Sequence, residues 1–96
     1  MIRNVVLVEL RPDRDPAEAA AIQDGFRCLR CPGTLSYALG SDLGLKAGNW
    51  SFAIVADFTD ADSLRGYDAD DEQKRLRAAL APLAVNIARG QFEVAD

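Results

Sequence analysis

Histidine is absent from this chain of 96 residues, and that absence excludes several kinds of chemistry. Without imidazole there is no Ser-His-Asp or Cys-His nucleophilic arrangement and no histidine-ligated metal. There is also no side chain that shuttles protons near neutral pH at its ordinary pKa. Cysteine is scarce: Cys28 and Cys31 are the two present, half of a four-ligand zinc site, so neither metal nor cofactor is expected. No apolar run approaches the ~20 residues that a helix needs to cross a bilayer. Met1-Ile2-Arg3-Asn4 leads straight into a strand-like run instead of a signal peptide. A soluble cytoplasmic protein, with no membrane partner, is the expectation. Lys and Arg number 11 against 15 Asp and Glu, for a net charge of −4. No basic stripe interleaves with aromatics, so a nucleic-acid partner is not expected.

What is present reads as one domain over residues 1–96. The run VVLVEL, closed by Arg11-Pro12, marks a first strand at 3–10. Alternation puts Asn4, Val6, Val8 and Leu10 on one face and Val5, Leu7 and Glu9 on the other. Asp15-Pro16 is a helix cap followed by proline at the first helical position, with Glu18 in the first turn. Ala19, Ile22, Phe26 and Leu29 then recur at helical spacing, and Pro32-Gly33 ends the segment. A second strand follows at 34–40, with Leu35, Tyr37 and Leu39 on one face, and then a loop at 41–48. A third strand at 50–58 puts Trp50, Phe52, Ile54, Ala56 and Phe58 opposite Ser51, Ala53, Val55 and Asp57. Thr59-Asp60 caps a short helix through Leu64 and Tyr67. Asp70-Asp71 starts another through Leu76, Leu80 and Leu83, and a last strand at 85–94 has a bulge or bend at Gly90.

The order β-α-β-β-α-β is the split arrangement of ferredoxin-like α+β domains. It predicts a four-stranded antiparallel sheet with its helices on one face. Both faces of the first strand are largely apolar, so the helix-free side also has to be covered. A chain this short recruits a second subunit for that purpose.

Four stretches carry a resemblance: Ile2 through Val8; Cys31-Pro32-Gly33 with Leu35; Ala53 through Phe58; and Leu64 and Tyr67 with Leu80-Ala81-Pro82-Leu83. In order and spacing the chain resembles the stress-responsive A/B barrel family, from Ile2 to Val94. The resemblance implies a homodimer through the sheet face, in which eight strands close a dimeric α+β barrel. It also implies a pocket between helices and sheet, as in the plant polyketide cyclase that makes olivetolic acid. By position, the family's histidines correspond to Asn4, Asp70 and Gln73, and its tyrosine to Tyr67. The phenol is kept and each histidine is replaced by a group that takes no proton near neutral pH, which puts the cyclase chemistry in doubt.

The candidate ligand-binding residues are therefore Asn4, Tyr67 and Gln73, set among Val6, Phe52 and Leu76. The competing reading is that these polar groups satisfy one another and the backbone. Cys28-Leu29-Arg30-Cys31 spells C-x-x-C, but at a helix C-terminus, where the dipole raises thiol pKa values; structural thiols are expected. Asn49 and Trp50 invite comparison with cofactor-independent monooxygenases of the same barrel, against a strand start and a core tryptophan. Glu9 and Asp57 face the barrel interior, with Arg89 as the candidate partner. The acidic run at 68–72 lacks the alternation of a calcium loop and reads as a solvated helix start.

Three functions follow. The first is a binding protein for a small apolar or aromatic molecule. The second is a cofactor-independent enzyme, cyclase-like or monooxygenase-like, with Tyr67 as its acid. The third is a purely structural dimer, favoured if the space between helices and sheet falls short of roughly 300 Å³.

Overall fold

The computed structural model describes residues 1–95. Its elements are β1 (Ile2–Leu10), α1 (Pro16–Arg27), β2 (Thr34–Ser41), β3 (Phe52–Phe58), α2 (Ala61–Ala69), α3 (Asp71–Leu80), a 3-10 turn (Ala81–Leu83) and β4 (Ala84–Glu93). The strands form one antiparallel sheet in the order β2-β3-β1-β4. This is the split β-α-β-β-α-β topology, with its second helical segment divided in two.

Local chemistry sets these boundaries. The Asp15 carboxylate accepts the Ala17 amide at 3.0 Å and Pro16 opens α1, satisfying a helix-end donor that would otherwise be orphaned. Ala19, Ile22 and Phe26 are the buried stripe of α1. Leu29 lies beyond the helix end yet is buried in the same core. Asp70 divides α2 from α3: its backbone is extended while its carboxylate accepts the Gln73 amide at 3.0 Å. The residue closing one helix thus starts the next, and that start fixes where Gln73 points. At the turn into β2, Gly33 has φ +82 and its carbonyl accepts the Thr59 amide at 2.9 Å. A Cβ there would collide with Ser63, so the β2 turn and the β3–α2 turn close on a glycine for two reasons.

The core lies between sheet and helices, with Val8, Ala56 and Phe58 fully buried and Phe52 and Ile54 nearly so. Register corrects three sequence expectations. Gly90 pairs in register with Val5; the irregularity in β4 is one extra residue at Val85, opposite the Glu9–Leu10 step. Leu35 is the extra residue of a second bulge and is turned out, 56% exposed, instead of joining Tyr37 and Leu39. Trp50 precedes β3, which starts at Phe52. The 42–51 loop is held as its own unit: Asp42 carboxylate oxygens accept the Gly44 amide and the Asn49 side chain, and the Ser51 amide donates to the Val8 carbonyl.

The helix-free face carries Val5 and Val55 at its middle, with Leu7 44% and Phe92 51% exposed. Around them, register places Ala38, Gly40, Ala53, Ala88 and Gly90. Small side chains in the middle of a sheet leave room for another surface to pack closely.

Candidate functional site

Between helices and sheet lies a cavity of about 210 Å³. β1 supplies Asn4, Val6 and Val8; α1 supplies Phe26; β3 supplies Ile54; α2 supplies Tyr67 and Asp68; α3 supplies Gln73, Arg77 and Leu80; and β4 supplies Ile87 and Arg89. Most of the wall is apolar, and Asn4, Tyr67 and Gln73 are each at most 5% exposed. Of the sequence candidates, Asn4, Val6, Tyr67 and Gln73 border this space. Phe52 and Leu76 do not: Phe52 is core at the far end of β3, and Leu76 packs against Gly25 of α1, where the missing Cβ lets the two helices approach.

The three polar residues do not bond to one another as a closed cluster. Asn4 accepts the Gln91 side-chain amide at 3.0 Å from the neighbouring strand. The Tyr67 hydroxyl shares a hydrogen bond of 2.9 Å with Tyr37, whose ring centroid is 5.9 Å away. Burial pushes the Tyr67 phenol up, and hydrogen bonding from Tyr37 and Gln73 offsets part of that rise. The Tyr37 phenol is raised further, again chiefly by burial. Both therefore keep their protons at neutral pH, and Tyr67 serves as a hydrogen-bond donor or acceptor but not as a base. Gln73 stands apart. Its Oε1 is buried with no hydrogen-bond partner among the described residues. An orphaned buried carbonyl is costly, on the order of 1–3 kcal/mol.

Tyr37, Gln91, Asp68, Arg77 and Arg89 were missed by the sequence reading as parts of this site. Tyr37 was legible, since alternation in β2 puts it on the helix-bearing face. Arg89 was not, because its face depends on register: it pairs opposite Val6, on the helix-bearing side. It is therefore no partner for Glu9 or Asp57, which lie on the other face. Glu9 accepts the Asn86 side chain at 2.8 Å. Asp57 takes a two-pronged bond from Arg3, at 2.8 and 3.0 Å, and a third from Ser36 at 3.1 Å.

The Arg3 hydrogen bond, aided by Ser36, holds the Asp57 carboxyl below the ordinary range, with burial opposing. The folded pKa therefore lies below the unfolded one, so the unfolded chain binds more protons in acid. The stabilisation is complete above the unfolded pKa and is lost as pH falls through the folded one. Asp57→Asn is expected to lower stability at pH 7, with the gap to wild type closing below about pH 4. Urea midpoints measured across that range test this.

The remaining motifs resolve structurally. Cys28 is exposed and Cys31 half-buried, both free. Burial, then the Asp70 carboxylate, pushes the Cys31 thiol up, away from reactivity. Asn49 donates to Asp42 at 3.0 Å, and with Trp50 and Leu7 it borders an open groove of about 560 Å³ on the sheet's other side. That pair is thus separate from the cavity holding Tyr67.

A four-stranded antiparallel sheet with helices on one face, a cavity between them and an apolar second face defines a ferredoxin-like α+β protein. The stress responsive A/B barrel domain matches residues 2–93, and the chain belongs to that family. It is similar to a dimeric ferredoxin-like protein of unknown function from Thermobifida fusca, with 29% identity over 97% of this chain and 90% of that one and a TM-score of 0.87. A dimeric protein of ferredoxin-like fold from Bacteroides fragilis is 18% identical, over 97% of this chain and 95% of that one, with a TM-score of 0.82. Hydroxynitrile lyase from Passiflora edulis is 14% identical, over 99% and 94%, with a TM-score of 0.84. The last two show the shared fold alone. No curated protein matches the sequence.

Proposed function

We propose that this chain is a cytoplasmic small-molecule binding protein that works as a homodimer through its helix-free sheet face. The ligand sits in the cavity between helices and sheet, beside Asn4, Tyr67 and Gln73. The observation that carries this reading is Gln73: a buried carbonyl oxygen with no partner among the described residues, on the wall of a mostly apolar space. A molecule with a hydroxyl or N–H group on an apolar body would satisfy that oxygen and fill the space around it. About 210 Å³ suits a compact ligand, given that a cavity of about 150 Å³ takes up benzene. The dimer is supported by the apolar second face and by the dimeric state of the Thermobifida fusca relative. No helix of the described residues is long and apolar enough to cross a membrane.

The volume itself favours a second reading. It falls below the roughly 300 Å³ at which ligand pockets usually begin, as expected if the barrel is only a structural core. Gln73→Leu separates the two. Under the binding reading, phenol or cyclohexanol at millimolar concentration raises the wild-type melting temperature by mass action. The variant loses that rise, while its ligand-free form is stabilised by about 1 kcal/mol through removal of the orphaned carbonyl. Native mass spectrometry of freshly purified protein should show a bound metabolite in wild type and less in the variant. If neither alcohol shifts the wild type and no bound molecule is found, the structural reading stands.

A further inference from the structure

Two arginines border the same cavity. Arg89 projects from the helix-bearing side of β4, an edge strand, and its guanidinium makes no hydrogen bond or ion pair among the described residues. Arg77 reaches over from α3 and donates one bond, to the Asp68 carbonyl at 3.3 Å, with no carboxylate partner among the described residues. Asp68 is the single acidic side chain on the wall, so its residues carry a net positive charge there. Arg89 is exposed and Arg77 half-buried, while Gln73 and Tyr67 are buried. The cationic groups therefore lie at the solvent side of the wall, at the cavity's mouth, and the amide and phenol lie inside it, with Val6, Val8, Ile54 and Leu80 as its aliphatic lining.

We propose that the ligand of this site is a compact apolar carboxylic acid whose carboxylate is held at the mouth by Arg89, with Arg77 beside it. This rests on the binding reading above and adds the chemical class. An arginine presents a planar fork of donors that matches a carboxylate in two parallel bonds, and charge-assisted bonds of this kind are about twice as strong as neutral ones. The acid's apolar body replaces water along the aliphatic wall, and a hydroxyl at its far end donates to Gln73 Oε1. One ligand thereby meets both the Arg89 guanidinium and the Gln73 carbonyl oxygen. The competing role for Arg89 is protection of an edge: an inward-pointing charge on a terminal strand discourages pairing with another sheet.

Calorimetric titration with a matched pair tests this: trans-4-hydroxycyclohexanecarboxylate and its neutral carboxamide, against wild type, Arg89→Gln and Arg89→Lys. The acid is expected to bind wild type at least tenfold more tightly than the amide. Arg89→Gln should bring the two within about twofold, and Arg89→Lys should keep part of the preference. Equal binding of acid and amide to wild type, or a preference that survives Arg89→Gln, overturns the carboxylate assignment while leaving the binding reading intact. If neither compound binds and phenol and cyclohexanol also fail, the binding reading falls and this inference with it. Arg89→Gln protein that forms assemblies larger than wild type, with acid affinity unchanged, would assign Arg89 to edge protection and overturn the proposal. Far-UV circular dichroism of each variant establishes that it is folded.

Discussion

Replacing Phe58 by Ala is expected to remove about 3–5 kcal/mol of stability, the range found when a large aromatic is truncated inside a packed core. Phe58 has 0% of its surface exposed. It ends β3, pairing with Ile2 on one side and Thr34 on the other, and its ring lies 5.3 Å from that of Tyr67. Three strands and α2 therefore meet around this residue. Domains of this size are stable by only about 5–15 kcal/mol, so the loss is a large share of the total. A fall in melting temperature of more than roughly 10 °C follows from the entropy of unfolding of such small domains. A fall of only a degree or two would show that the β3–α2 contact is looser than its geometry indicates. The neighbouring Tyr67 hydroxyl should be affected as well, because α2 is held over the cavity partly by this contact.

The second large effect concerns assembly. The double variant Val5→Lys/Leu7→Lys places two ammonium groups in the middle of the helix-free face, where the proposed dimer packs sheet against sheet. Burying an unpaired charge costs several kcal/mol, and each variant dimer would bury four. The protein is expected to run as a 10.4 kDa species, whereas wild type runs at twice that mass in light scattering at micromolar concentration. Leu7 points away from the core and is already 44% exposed in one protomer, so the change should spare the fold and leave the far-UV spectrum intact. Wild type at the mass of one chain would remove the dimer from the proposed function. The cavity would survive that result, because its wall comes from a single protomer.

How much was legible in the chain differs from element to element. α1 announced itself through Asp15-Pro16 and the Ala19, Ile22, Phe26 spacing, because capping and amphipathicity are local. The alternation of β1 correctly separated Asn4, Val6 and Val8 from Val5 and Leu7, since side chains alternate whatever the partner strand. The same rule failed where an extra residue intervened. Alternation puts Leu35 on the face of Tyr37, but a bulge sets it apart, and a bulge is a property of two strands together. Alternation extends β3 back to Trp50, yet the hydrogen bonds that Asp42 and Ser51 make across the 42–51 loop start the strand at Phe52.

The candidate site divides in the same way. Asn4, Val6, Tyr67 and Gln73 could be put near one another through strand alternation and family correspondence. Their hydrogen bonds could not. Asn4 is satisfied by Gln91 and Tyr67 by Tyr37, while Gln73 Oε1 is left alone. Each of those outcomes depends on register or on the angle at which α3 leaves Asp70.

The order of strands and helices, the apolar second face and the lack of any imidazole follow from residue identity and short-range periodicity alone. Tertiary structure alone decided which face Arg89 occupies, that Arg3 and not Arg89 partners Asp57, and that the Gln73 carbonyl has no partner among the described residues. Those facts come from pairings between distant residues, such as Arg3 with Asp57, 54 positions apart, and no local pattern encodes a register between distant strands.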